Sequence, residues 1–213
     1  MSRKPSTSSA KSPYSVHPSV AMVQDWVAGL KSKTGRSLDE WIKLVKTAGP
    51  ATEKERRDWL KENHKLGTKS AWWIAERAEG KGGEDSDPQA YLKAAGGYVE
   101  AMYAGPKAGL RPIHDRLVDV AKKLGKEVKV CPCTTIVPLF RNHVFAQIKP
   151  STRTRIDLGF ALGKSKGKLP KRMIDTGGLA QKDRITHRIP ITSVKDIDQE
   201  VQRWLKAAYD LDE

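Results

Sequence analysis

Arg153, Arg155 and Asp157 stand at every second position of the stretch RTRIDLGFA (153–161), in which Ile156, Leu158 and Phe160 occupy the intervening positions. On a strand, successive side chains point to opposite faces, so an apolar face of Ile156, Leu158 and Phe160 leaves Arg153, Arg155 and Asp157 on the other. The same alternation in HVFAQIK (143–149) sends Val144, Ala146 and Ile148 inward and His143, Phe145, Gln147 and Lys149 outward. In THRIPI (186–191), Ile189 and Ile191 go inward, leaving Thr186, Arg188 and Pro190 outward. If helices cover only the apolar face, the open one carries Lys149, Arg153, Arg155 and Arg188 around an exposed Phe145. Guanidinium groups bind phosphate or carboxylate bidentately, and an exposed aromatic can stack on a base. The competing reading is an ordinary solvated sheet face, with Asp157 pairing Arg155.

A second set of cations lies in GKSKGKLPKRM (163–173), which supplies Lys164, Lys166, Lys168, Lys171 and Arg172. This is not a phosphate-binding P-loop: Gly163-Lys164-Ser165 would need a glycine five positions earlier, where Leu158 stands. A basic arm can still neutralise phosphates without reading sequence; the alternative is a solvated surface loop.

Other chemistry is not indicated. No Ser/His/Asp, His-x-x-x-His or paired-carboxylate spacing suggests a hydrolase, so no catalytic residue, metal site or cofactor is assigned and a non-enzyme is expected. Cys131 and Cys133, one residue apart, cannot by themselves complete a four-ligand zinc site and read as reduced thiols. His187 shares the side of Ile189 and reads as a core histidine with a hydrogen-bond partner. His64 and His114 lie on or near helices without ligand spacing. Trp72 and Trp73 are adjacent on one helix and cannot both face a core, so one is expected at its edge.

The chain of 213 residues carries a formal charge of +14, with a pI near 9.8. Residues 106–194 hold 19 Lys and Arg against 6 Asp and Glu, a net of +13, whereas residues 1–105 are at +4 and residues 195–213 at −3. A surplus concentrated in one module suggests attraction to polyanions. Residues 1–18 lack an apolar core and no stretch approaches 18 apolar residues, so neither a classical secretion signal nor a membrane span is expected, and the setting is read as cytoplasmic.

The elements that must position these groups follow from periodicity. Residues 1–17 are rich in Ser, Lys and Pro and read as a disordered basic tail. Residues 18–80 read as four short helices. Two of them open on capping boxes, Ser37 with Glu40 and Thr52 with Glu55, and Gly35 and Gly49-Pro50 act as stops. Residues 81–105 form a Gly-rich linker and a connecting helix from Pro88, which either module could own. Residues 106–213 read as a helix closed by Gly125, four strands (127–131, 134–141, 143–149, 155–161), a long basic loop, a strand at 186–191 and a last helix capped by Ser193. The fold class is therefore α+β: a four-helix N-terminal module, then an antiparallel sheet of about five strands with helices on one face.

The stretches LKSKTGRSLDEWIKLV and RDWLKENHKLGTKSAWWIAERA resemble the bacterial helical family called domain of unknown function 4287. GLRPIHDRLVDVAKKLG, FAQIKPSTRTRIDLGF and THRIPI resemble domain of unknown function 5655. The two resemblances cover about residues 20–210 and support a module boundary near the linker, but neither implies an activity. Three functional readings follow. A nucleic-acid or other polyanion binder would use the basic sheet face, the lysine loop and the tail. A small-molecule-binding or enzymatic α+β domain would gather Arg155, Arg188 and Asp157 around a phosphate or carboxylate metabolite. An adaptor would dock a protein partner on the helical module through an apolar patch that includes Trp73. The first is favoured here.

Overall fold

Ser37 and Thr52 start their helices as reciprocal caps. Each hydroxyl accepts the amide three residues on, from Glu40 and Glu55, and each glutamate accepts the cap residue's own amide. Such boxes satisfy amide groups that a helix start leaves orphaned. The computed structural model describes residues 12–163 and 169–213. The helices α1 (Ser19–Thr34), α2 (Leu38–Ala48), α3 (Glu53–His64) and α4 (Thr68–Ala78) are followed by a 3-10 turn at Gly83–Ser86 and by α5 (Pro88–Met102). The chain divides into two compact units: Pro18–Tyr91, and Leu92–Glu213 together with the described residues up to His17. The division falls inside α5.

The helical unit closes around Leu30, Trp41, Val45, Leu60 and Ile74, all at most 2% exposed. Its buried and half-buried indoles find partners: Trp41 Nε1 donates to Thr34 Oγ1 at 2.8 Å and the half-buried Trp26 Nε1 to Ser70 Oγ at 3.0 Å. Gly82 sits at φ +70°, and a Cβ there would lie 2.0 Å from Arg77 Nη1, so a glycine lets the buried Arg77 pass. Of the adjacent tryptophans, Trp73 is the buried one, its ring 4.7 Å from that of Trp26, and Trp72 is 42% exposed. The edge position is therefore held by Trp72, and the apolar patch imagined around Trp73 does not form.

The second unit contains a 3-10 helix at Gly105–Leu110, α6 (Arg111–Lys122), six strands and α7 (Gln199–Asp210). The strands are β1 (Lys129–Val130), β2 (Val137–Phe140), β3 (Val144–Pro150), β4 (Ile156–Phe160), β5 (Ile174–Asp175) and β6 (His187–Ile191). They form one sheet in the order β1-β2-β3-β4-β6-β5, every pair antiparallel. Ile148, Leu158 and Ile189 face one another in register across β3, β4 and β6. They are fully buried in one cluster with Leu117 and Ala121 of α6 and Val201, Leu205 and Ala208 of α7. The fold is thus α+β, with one more strand than the sequence suggests: β5, two residues long, lies inside the stretch read as a basic loop.

Strict alternation fails at Phe145. Leu139 pairs with Ala146 while Phe140 pairs with Val144, so Phe145 is the unpaired extra residue of a β-bulge. The bulge turns Phe145 into the core, where it is fully buried with its ring 5.6 Å from Tyr209, edge to face. Thr186, also read as outward, is buried: its hydroxyl takes the Leu162 amide at 3.2 Å and lies 2.9 Å from His187 Nδ1. At the end of the chain Ser193 caps only the 3-10 turn Val194–Asp196, and Asp198 caps α7 by accepting from the Val201 amide at 3.0 Å.

Residues 12–17, expected to belong to a disordered tail, lie along this second unit. The Ser15 amide donates to Val130 O at 2.8 Å, Tyr14 packs on the core, and the His17 ring stands 5.1 Å from Phe140. The rings of Tyr14 and His17, with a backbone bond between them, anchor the segment despite its polar composition. At the other terminus the carboxylate of Asp212, 4% exposed, accepts from the amides of Asn142 and His143 and from Arg184 Nη2, at 2.8–3.0 Å.

Candidate anion-binding cavity

The register Lys149↔Asp157 and Gly159↔Arg188 brings the predicted cations onto the open face of β3, β4 and β6. There Asp157 gathers two of them. Its Oδ1 lies 3.0 Å from Arg155 Nε and 2.8 Å from Arg188 Nη1, and its side chain is only 12% exposed. Arg155 lies two residues from Asp157 on the same chain, so that contact runs along the strand rather than across it. The two guanidinium groups are committed to a carboxylate the protein itself supplies, which is the solvated-face arrangement with the acid shared.

A small cavity of about 310 Å³ lies over this row. Gly159 makes it possible: a Cβ there would come within 2.6 Å of Ile185 Cγ2, so glycine lets Ile185 lie on the sheet as a wall. The wall is held by its own hydrogen bonds, Thr176 Oγ1 to Ile185 O at 2.7 Å and the Asp183 amide to Gly178 O at 2.8 Å. Lys149 and Arg188 are balanced in its lining by Asp157 and Asp183. That cavity has no charge surplus to offer an anion.

A second cavity, of about 540 Å³, adjoins it and shares Lys149 and Ser151. It differs in chemistry. Lys107, Lys149 and Arg153 line it with Thr134, Thr135 and Ser151, and its lining contains no Asp, Glu, His or Cys. Ala101, Met102, Pro106 and Pro150 supply an apolar side. Arg153 reaches it because β4 begins only at Ile156, which leaves Arg153 in the β3–β4 turn rather than on the strand face expected for it. Lys107 is positioned by donating to Pro150 O at 2.7 Å. Lys149 and Arg153 form no ion pair among the described residues.

The remaining candidates do not converge here. Phe145 is in the core. Arg172 is bound to Asp198 at 2.5 Å and Glu200 at 2.8 Å, tying the segment before β5 to the start of α7. The Val201 amide first and Arg172 next hold the Asp198 carboxyl below the usual carboxylate range. Lys171 is exposed, beside Glu200 and Arg203. Lys164, Lys166 and Lys168 lie outside the described residues. The residues sequence reasoning missed are Lys107, Thr134, Thr135 and Ser151. Lys107 follows a Gly-Pro helix stop and the threonines sit between strands, so only the folded sheet unites them.

Histidine 114, passed over for want of ligand spacing, is fully buried on α6. Neither ring nitrogen has a hydrogen-bond partner among the described residues, and the hydroxyl of Tyr103, whose ring lies 4.8 Å away, has none either. Burial drives the His114 pKa down to about 4, against a smaller upward pull from Asp115. Burial likewise pushes the Cys131 thiol up to about 12, which leaves it a protonated core group. No group of three or more His, Cys, Asp and Glu that could hold a metal ion occurs among the described residues, and none of their helices is long and apolar enough to cross a membrane.

The fold defines an α+β protein in which a helical unit and a helix-covered antiparallel sheet are joined in one chain. Residues 99–212 match the family described as domain of unknown function DUF5655, and the chain belongs to that family. Residues 23–79 match a second, domain of unknown function DUF4287. No curated protein and no solved structure matches the chain.

Proposed function

We propose that the chain is a binding protein whose sheet-bearing unit holds a small ligand with a phosphate or carboxylate group and an apolar body. The observation that carries this reading is the open 540 Å³ cavity lined by three cations and three hydroxyl side chains without a single carboxylate. Cavities of that size suit small molecules, and a few convergent polar groups on an apolar lining fix orientation. Lys149 and Arg153 would meet the anion, the hydroxyls of Thr134, Thr135 and Ser151 would complete its hydrogen bonds, and Met102 with Pro106 would cover the apolar part. With no carboxylate, histidine or cysteine among its lining residues to pair with the two lysines, the cavity suits binding better than proton-transfer chemistry. Burial of Phe145 removes the aromatic that a nucleic-acid reading of this face needs. The buried Cys131 thiol, held protonated, is compatible with a reducing, cytoplasmic setting.

The test is calorimetric titration of the full chain with inorganic phosphate, phenyl phosphate and benzyl alcohol. Phenyl phosphate should bind more tightly than phosphate, benzyl alcohol should not bind, and Lys149→Ala with Arg153→Ala should weaken phenyl phosphate at least tenfold. Binding that is equal in the double variant, or as strong for the alcohol, overturns the reading.

A further inference from the structure

In the helical unit, α3 and α4 line a third, open cavity of about 690 Å³. Lys54, Arg57 and Lys61 lie at positions i, i+3 and i+7 of α3 and therefore on one face of it. Lys69 and Trp72 line it from α4, with the Lys69 ammonium 4.6 Å from the centre of the Trp73 ring and 3.5 Å from the Met22 sulfur. The indole of Trp72 is 42% exposed, although four other tryptophans of this unit are buried or half-buried. Helix geometry sends one of the adjacent pair Trp72 and Trp73 outward, and here the outward ring lines a concave, charged surface, where an amphipathic aromatic can anchor a ligand.

The charge balance says what kind of ligand suits the place. Four cations line the cavity against one acid, Asp58, which lies 3.3 Å from Lys54 and 3.5 Å from Lys61. Arg57 is also drawn to Glu53, at 3.2 Å, so the surplus is about two to three positive charges. The side chains of Lys54 and Lys61 are 80% and 43% exposed and thus free to exchange Asp58 for another anion. Lys54 and Lys61 are two helical turns apart, about 10 Å, which is a row rather than a point. α4 adds to the positive field: its first turn contains no acid, and its cap residue, Gly67, offers no side chain.

We infer that this cleft binds a single-stranded nucleic-acid segment, one base stacked on Trp72 and the neighbouring phosphates on Lys54, Arg57, Lys61 and Lys69. A flat aromatic beside a row of three cations on α3, with Lys69 on its own helix, matches a polymer that alternates a π-face with a phosphate, and base–aromatic stacking is a sequence-independent contact in such complexes. An acidic peptide would satisfy the lysines but leave the indole without a planar partner. The site is separate from the anion cavity of the sheet-bearing unit and does not depend on it.

Fluorescence anisotropy of a labelled twelve-residue oligothymidylate with the full chain tests the inference. Three neutralised phosphates give a slope of log K against log salt of about −2, and Lys61→Ala with Lys69→Ala should reduce its magnitude to about 0.7. Trp72→Ala should weaken binding about tenfold and Trp72→Phe should restore most of it, because a ring remains to stack on. Lys149→Ala with Arg153→Ala should leave oligonucleotide affinity unchanged. Circular dichroism melts confirm that the Trp72 variants fold. No binding at about 50 mM salt, an unchanged affinity in Trp72→Ala, or equal displacement by a polyglutamate peptide each overturns the inference.

Discussion

Lowering the pH should destabilise the sheet-bearing unit by way of His114. In the unfolded chain this histidine takes up a proton near pH 6.5; in the fold, burial without a partner for either ring nitrogen holds its pKa near 4. The neutral ring is therefore the folded form. Above pH 6.5 neither state is protonated and the group costs nothing, but as pH falls from 6.5 toward 4 the unfolded state binds the proton first and stability is lost. Linkage of about 1.4 kcal/mol per pKa unit gives a loss of about 2 kcal/mol by pH 5 and about 3 kcal/mol at and below pH 4. Carboxylates titrate in the same range, so the measured quantity is the difference between wild type and His114→Phe, which retains a ring and cannot be protonated. Trp204 is the single tryptophan of the sheet-bearing unit, the other five lying between residues 26 and 73. Urea unfolding of fluorotryptophan-labelled protein, read by fluorine NMR at the Trp204 resonance, thus reports this unit by itself. The variant should lose about 2 kcal/mol less than wild type between pH 7 and pH 5. Parallel profiles for the two proteins would refute the reasoning and place a proton-accepting partner at His114.

Phe145→Ala should cost about 3–5 kcal/mol, as expected of a fully buried ring, and lower the melting temperature by roughly 10 °C; an exposed ring would give almost no change. Asp212→Ala should destabilise the sheet-bearing unit by about 2–3 kcal/mol, because it strips two amides and Arg184 of one buried acceptor, and hydrogen exchange should rise at Asn142 and His143. Ser37→Ala and Thr52→Ala should each cost about 1 kcal/mol of helical-unit stability, and the two losses should add, since the caps share no partner; thermal melts of the single and double variants check both statements.

What was legible in the sequence was whatever is set within a few residues. The two capping boxes, the Gly35 stop, the apolar stripes of the helices and the inward rows of β3, β4 and β6 all depend on neighbours one to four positions away. Each departure came from a distant contact. The bulge that buries Phe145 arises from pairing with β2, and alternation counted along β3 alone sends that ring outward. Arg153 left the strand face because the β3–β4 turn takes residues that a period of two assigned to β4. Arg155 and Arg188 lost their freedom to Asp157, which the alternation had correctly placed beside them but could not weigh as a competitor for both. Lys107 joins Lys149 through the carbonyl of Pro150, across 43 positions. Trp72 and Trp73 were known to diverge, but only the position of Trp26 decides which is covered.

The segment at residues 12–17 has a bearing on how the protein should be produced and handled. β1 is a two-residue strand at the margin of the sheet, and Ser15 donates to Val130 on it while Tyr14 and His17 lie to either side. The shortness of β1 already blunts this margin, and the 12–17 segment adds cover over it and over the neighbouring Phe140 of β2. A fragment cut to the family match at 99–212 would retain all six strands and discard this cover, because the helical unit stands in sequence between the two. Such a fragment should self-associate more readily than the whole chain, as size-exclusion chromatography of the two at equal concentration would register. The helical unit would then be an insertion that separates a sheet from its own guard, and deleting it cleanly would require splicing residue 17 to residue 92.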